Sequence, residues 1–489
     1  MKQIKTSIIP IEQQFVKVRA PHELDLKAIC VFVAAGFFLE SDTYWKDLKV
    51  LPPGTINTID EEGFWIESKP WFNWHYSPRD ITFEQSVEEF TELFHTICKE
   101  QVGDAPVILA LSGGLDSRTQ AAAFSKLGNK VTSYSYSFEN GYKESGISRQ
   151  IAKASGFPFQ EFTIPKGYLW DKIDELTRIN GGYAEFTNPR QMAVLDKLRT
   201  MTGIFSLGHG GDLFFDKAAP DNLIKSREIY QLSKKVVKKG GLELGMALWE
   251  AWGIEGDFEE YLIERVKSIV NRIAIDNVSA SIRAFISSTY VPRWTNVNLR
   301  LFSEAHPITL PYFDDRMCEY ICSIPEEFLA DRKIQVAYLK EQTPELARIT
   351  WQGQKPYNLY NYHRNKVPFN LPYRIIDKTK RVMQEMIGKK FTERNWELQF
   401  LGEENDAHLQ EYLFSKEMDT FIPKEVRTKF YNDFKNKDAV WYSHPVSMLL
   451  TLAVWNKNNG QGNHRVHGGG AENARKYPDP KGSDSERIY

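Results

Sequence analysis

The sequence predicts an α/β fold: a doubly wound parallel sheet, a mainly helical C-terminal region, and a small N-terminal segment containing strands. Three observations predict it. From Pro106 onward, short apolar runs alternate with amphipathic stretches at strand–helix pitch. The first run, "PVILAL", is continuously apolar, as a parallel strand buried on both faces must be. That strand then turns over two glycines in "LALSGGLDSR", Leu109 to Arg118, and opens a helix over about Asp116 to Leu127.

Taken in order, "AICVFVAAGFFL", Ala28 to Leu39, is the longest apolar run. It falls short of the roughly 20 residues that span a bilayer, so it reads as a buried helix. "LPPGTINTIDEEGFWIES" places β-rich stretches on either side of an Asp-Glu-Glu-Gly turn, a hairpin signature. "TFEQSVEEFTELFHTICKEQV" repeats apolar residues at helical spacing: Phe83, Val87, Phe90, Leu93, Phe94 and Ile97. After the glycine turn come strand "KVTSYSYSF", helix "KESGISRQIAKASG" closed by Gly156, strand "FQEFTI", helix "YLWDKIDELTRIN" ended by Gly181, and strand "GIFSLG". Beyond about residue 220 strand signals fade and amphipathic helices such as "DFEEYLIERVKSIVNRIA" dominate. The expected organisation is a reduced N-terminal domain over 1–80, an α/β core over 81–220, a helical region over 221–456 and a polar, Gly-rich, disordered tail over 457–489.

Composition narrows the function classes. Apolar residues make up 42% and charged residues 26% of 489, and 62 basic against 64 acidic residues leave a net charge of −2. That balance provides no general electrostatic footprint for nucleic acid. The start "MKQIKTSIIPIEQQF" has no apolar signal region, so neither export nor a membrane partner is expected. Four cysteines in so long a chain make no disulfide framework, and Cys318 and Cys322, spaced i, i+4, read as core rather than zinc ligands. A reducing cytoplasm fits.

The chemistry concentrates in the glycine turn. Ligands of open α/β sheets bind beyond the carboxyl ends of the strands, where "SGGLDS" lies. Glycines let backbone N–H groups approach an anion, and the following helix adds its positive end. Ser112 and Ser117 supply hydroxyl donors, whereas Asp116 favours phosphate only through an intervening cation such as Mg²⁺. There is no GxxxxGK[ST] loop for γ-phosphate transfer. The plain alternative is an ordinary strand–helix corner. A second turn weighs against it: "SLGHGGDLFFD", Ser206 to Asp216, again places glycines and then an acid, Asp212, after a strand.

"SGGLDS" followed by a Gly-x-Gly-Gly-Asp turn resembles the ATP-pyrophosphatase domain of the asparagine synthetase family (adenine nucleotide α-hydrolase-like), which also includes β-lactam synthetases and lasso-peptide cyclases. "KVLPPGTINTIDEEGFWIESKPWFNW", "LPYFDDRMCEYICSIPEEF" and "LARITWQGQKP" are similar to that family's last hairpin before the synthetase domain, its "PFLD…lP" segment and the segment of its essential lysine. The similarity covers about residues 25 to 360. It implies that a carboxylate attacks the α-phosphorus of ATP to form an acyl-adenylate, which an amine then opens. It also implies that Ser112, Gly113, Gly114, Asp116 and Ser117 hold pyrophosphate, and that Asp116 and Asp212 hold Mg²⁺. Leu111, Tyr136 and Gly208 would frame the adenosine, and Lys355 would neutralise charge on the adenylate, a preorganised electrostatic role. For Lys355 the plain alternative is a solvated surface lysine.

Two departures from the family shape the expectation. Near the N-terminus there is no cysteine where its glutamine-dependent members carry a nucleophile, so the amine is expected from free ammonia, a separate amidase or biosynthetic partner, or the substrate itself. In the second turn His209 stands where those members carry Glu, and lasso-type cyclases tend to share this Gly-His-Gly-Gly-Asp run. Imidazole can serve as a base for an amine, or can merely shape the turn. Glu304 is a weaker candidate for orienting it. The basic stretch "DKTKRVMQEMIGKKFTER" reads as a solvated face, with docking of an acidic substrate or peptide as the alternative. The expected activity is ATP-dependent amide formation on a small-molecule, peptide or glycan carboxylate, possible within one molecule. The rivals are an ammonia-dependent asparagine synthetase, a non-catalytic nucleotide-binding protein, and a tRNA-adenylating sulfurtransferase, for which no tRNA-sized basic surface is evident.

Overall fold

The structure, a computed structural model, describes residues 1–142, 145–220, 222–386 and 391–460. The disordered tail expected over 457–489 therefore lies almost wholly outside the described residues. Strands β1 (Lys2–Lys5), β4 (Thr55–Ile59) and β5 (Trp65–Pro70) form an antiparallel sheet in the order β1-β4-β5, the last two being the expected hairpin. β2 (Phe15–Lys17) pairs with β3 (Leu48–Val50). Between them the apolar run forms α1 (Leu26–Ala35), capped by Asp25 and ended by Gly36 at φ 81°, a left-handed conformation that suits glycine. Every residue from Ala28 to Leu39 is buried. α1 packs on the later helix Gly241–Ala251 so closely that a Cβ on Gly241 would strike the Ala34 carbonyl, while one on Gly245 would strike the Phe258 ring. The N-terminal residues thus share one hydrophobic core with the rest of the described chain.

α2 (Phe83–Val102), opened by a Thr82–Gln85 capping box, leads into the main sheet. That sheet comprises β6 (Val107–Ala110), β7 (Val131–Phe138), β8 (Phe159–Ile164), β9 (Ile204–Ser206) and β10 (Ile308–Thr309), all parallel, in the order β10-β9-β6-β7-β8. The crossovers are α3 (Asp116–Leu127), α4 (Ser145–Ala154) and α5 (Tyr168–Asn180). From β6 the chain builds outward through β7 to β8, then returns to lay β9 on the other side of β6. The order reverses between β6 and β9, which makes the crevice there the ligand-binding switch point of such a sheet. The fifth strand departs from expectation, because β10 comes from the region read as mainly helical, where no strand was expected. Two residues are too few to show alternation, and only pairing with β9 makes them a strand.

The remaining chain is helical as expected. Phe258–Ile273 and Val278–Phe285 are α-helices, and Ile286–Thr295 continues as a π-helix. All four cysteines are buried and free, and Cys318 lies in the main hydrophobic core. No helix among the described residues is long and apolar enough to cross a membrane.

Candidate active site

The two glycine turns start from neighbouring strand ends, since Leu109 is in register with Ser206. They are also stitched together, because Gln120 on α3 donates 2.8 Å to the hydroxyl of Ser206. In the first turn the Ser112 N–H donates to Ser117 Oγ (3.0 Å) and the Gly114 N–H donates to Ser112 Oγ (3.2 Å). The two serines therefore shape the loop themselves. Gly113 exchanges two hydrogen bonds with Gln352: its N–H donates to Oε1 and its carbonyl accepts from the Gln352 N–H, each at 3.0 Å. A Cβ on Gly113 would stand 2.6 Å from that Oε1 and 2.7 Å from Gln352 Cβ. Gly113→Ala should prise the turn from the loop that carries Lys355, and a lowered melting temperature is the expected reading of that clash.

Arg118, the last residue of the opening motif, explains why these two loops meet. Its guanidinium is fully buried and donates to the carbonyls of Leu346 (3.3 Å), Ile349 (2.9 Å), Thr350 (2.8 Å) and Gly113 (3.2 Å). Burial without a carboxylate brings its pKa down to about 10. A lysine cannot fork to four carbonyls. Arg118→Lys is expected to lower folding stability by about 3 kcal/mol in denaturant unfolding.

The second turn presses on the start of α3. A Cβ on Gly208 would meet the Ser117 nitrogen at 3.1 Å, and one on Gly211 would overlap the Asp116 carboxylate. Gly210 has φ 100° and touches the Phe313 ring so closely that no side chain fits. Short helix α6 (Leu195–Arg199) precedes β9, and α7 (Gly211–Phe214) follows this turn. α7 is braced by buried Arg283, which donates to the carbonyls of Leu213 and Asp216 and pairs with Glu326.

Asp116 and Asp212 thus face one crevice. Burial raises the Asp116 carboxyl to about 6, Arg332 opposes that rise, and the charge of Asp212 adds to it. Arg332 pairs directly with Asp116 Oδ1, and Gln335 donates to the same oxygen at 3.2 Å. Asp331 and Arg332 are both left-handed (φ 59° and 60°), an uncommon strain for non-glycine residues, and it aims the guanidinium at Asp116.

His209 makes no hydrogen bond to another described residue. It opens to solvent in a cleft whose walls disfavour imidazolium; this burial, opposed by Asp212 and helped by Arg190, brings its pKa down to about 4. Its ring is therefore neutral near pH 7. A cavity of about 770 Å³ lies beside the first turn, and Tyr136, Arg190, Gln352, Lys355, Tyr373 and Asp377 are among its walls. Arg190 donates to the Tyr136 hydroxyl and lies 5.4 Å from its ring centre. The Lys355 ammonium has no hydrogen bond or ion pair with a described residue.

The crevice accordingly gathers Ser112, Gly113, Gly114, Asp116, Ser117, Gly208, His209 and Asp212, and the adjoining cavity gathers Tyr136 and Lys355. Leu111 and Gly208 do not line that cavity. Leu111 is buried with its N–H on Tyr134 O (2.8 Å), and Gly208 is packed on α3. Glu304 pairs with Arg178 at 2.8 Å and plays no part in orienting His209. Sequence reasoning missed Arg118, Arg190, Arg332, Gln335 and Gln352. Only Arg118 and Gln352 carried a signal, by standing inside motifs already singled out.

Residues 89–239, which contain both turns, match the family model described as asparagine synthase. This segment is similar to an asparagine synthase domain. Its two turns are the elements on which the sequence resemblance rested. Solved structures similar to the chain include NMN synthetase from Francisella tularensis (17% identity, TM-score 0.21, covering 40% of this chain and 96% of that one). They also include NAD+ synthetase from Burkholderia pseudomallei (13% identity, TM-score 0.19, covering 40% and 94%). No curated protein sequence matches. Outside the matched segment, Lys355, Arg332 and Gln352 reach its crevice from the helical region.

Proposed function

We propose that the protein is an ATP-dependent carbon–nitrogen ligase that activates a carboxylate as an acyl-adenylate and transfers the acyl group to an amine. The observation that carries this reading is the meeting of two glycine turns at the switch point, each followed by an acid, with Lys355, unpaired among the described residues, beside them on a cavity sized for a small ligand.

In this reading the hydroxyls of Ser112 and Ser117 and the backbone at Gly113 and Gly114 hold the pyrophosphate end of ATP. Asp116 and Asp212 each keep Oδ2 free of hydrogen bonds from described residues, and these two hard oxygen donors would hold Mg²⁺ beside the phosphates. When bound, that ion supplies neutralisation of the leaving pyrophosphate. Arg332 holds Asp116 in place while no ligand is bound. Tyr136, with Arg190 against its ring, offers a platform for the adenosine. Lys355 stabilises negative charge as the carboxylate attacks and again as AMP leaves.

Neutral His209 accepts a hydrogen bond from the incoming amine rather than storing a proton, since an imidazole near 4 is too weak a base to strip an alkylammonium. The amine is supplied by the same molecule, by a separate amidase or by another biosynthetic partner, and the reaction belongs to specialised-metabolite, peptide or glycan modification in the cytoplasm. Hydroxylamine, a surrogate amine, tests the reading. With ATP, Mg²⁺ and a panel of carboxylic acids, acid-dependent hydroxamate and AMP are expected. Efficient conversion of aspartate and ammonium to asparagine would instead identify an ammonia-dependent asparagine synthetase.

A further inference from the structure

Six of the fifteen large apolar side chains exposed among the described residues fall between Tyr360 and Ile376. Surface apolar residues scattered singly need no explanation, but a contiguous cluster does. Val367, Phe369, Leu371, Ile375 and Ile376 are between 41% (Leu371) and 62% (Ile375) exposed. Leu371 and Ile375 stand one turn apart on the helix Leu371–Met386, with Ile376 beside them. The opposite face of the same helix presents Tyr373 and Asp377, also one turn apart, to the cavity that holds Lys355. The helix therefore has an inner polar face committed to the site and an outer apolar face committed to nothing in the described chain.

Charge selects what can cover that outer face. Arg364, Lys366, Arg374 and Lys378 are all exposed, and none pairs with a carboxylate among the described residues. The one acid between 360 and 378, Asp377, is turned to the cavity. A second copy of the chain would set these four cations against themselves across a two-fold contact. The apolar side chains stand out from the surface, and cations border them in sequence and along the helix. That is the arrangement of an interfacial helix whose apolar face enters the headgroup boundary while its cations meet anionic lipid.

We propose that this face docks on an anionic membrane surface. No spanning helix is required, and the contact revises the expectation from net charge and the N-terminal sequence that no membrane takes part. Because Tyr373 and Asp377 lie across the same helix, docking holds the cavity about one helix diameter, ~10 Å, from the headgroups. An acyl or amine substrate carried at a membrane surface fits that placement.

The test is co-sedimentation of the full chain with vesicles of phosphatidylcholine alone and of phosphatidylcholine mixed equally with phosphatidylglycerol. Binding to the mixed vesicles only, weakened by salt and reduced about tenfold or more in Ile375→Glu/Ile376→Glu, is the expected result. Both isoleucines are exposed, so the variant should keep the wild-type melting temperature. No binding to the mixed vesicles, equal binding to both kinds, or binding unchanged in the variant overturns the proposal. A dimer in light scattering that the variant dissolves would assign the face to a second copy and overturn it as well.

Discussion

Asp116→Asn is expected to abolish ATP–pyrophosphate exchange, with a loss of about a thousandfold or ~4 kcal/mol of transition-state stabilisation. The amide keeps the shape of the side chain and can still accept from Arg332 and Gln335, so the loss reports charge. The same substitution should stabilise the protein when nucleotide and metal are absent. Burial, opposed by Arg332 and assisted by Asp212, raises the Asp116 carboxyl from 3.8 to about 6. A carboxyl raised in the folded state binds its proton more tightly there than in the unfolded chain. Its contribution to stability is therefore full below about pH 4 and is lost as pH rises through about 6, a decline of up to ~3 kcal/mol. Asparagine does not titrate. Urea unfolding of the two proteins should thus agree near about pH 4 and diverge in favour of the variant by about pH 8. A wild-type protein as stable as the variant at the higher pH would show that Arg332 fully compensates the buried charge.

On the proposed mechanism, Lys355→Met should slow both adenylate formation and acyl transfer by about a hundredfold to a thousandfold, since one ammonium would face the developing charge in each. Folding stability should change little, because the ammonium makes no hydrogen bond or ion pair with a described residue. In single-turnover kinetics the rate should fall while ATP affinity is largely kept, which separates a group acting on the transition state from one that merely binds nucleotide. A structural lysine would give the reverse pattern, with a lowered melting temperature and an unchanged turnover rate.

Much of the fold was legible because the parallel strands obey local rules. "PVILAL" is apolar on both faces, and Gly128, Gly156 and Gly181, all at positive φ, end their helices as glycines do. β10 was not legible, because its two residues become a strand only through β9. In the site, Asp116 and Asp212 could be placed together from sequence because each follows a strand whose carboxyl end lies at the switch point. Arg332 could not. Nothing in "LADRKIQ" announces two consecutive left-handed residues, a conformation imposed by packing and by the pull of Asp116. Arg118 was in view as the last residue of "LALSGGLDSR", but nothing in the sequence marks it as buried. Only the carbonyls of Leu346, Ile349 and Thr350, more than two hundred residues away, explain its burial. His209 was noticed for its position, whereas its neutrality follows from the cleft walls around it, which no spacing in the sequence records.

The position of the bond cut in ATP tests the central claim most directly. With ATP labelled in the α-phosphate, Mg²⁺, hydroxylamine and an accepted carboxylic acid, the label should appear in AMP, with one pyrophosphate released for each hydroxamate formed. Label in ADP, with inorganic phosphate released in its place, would contradict a crevice built to grip pyrophosphate.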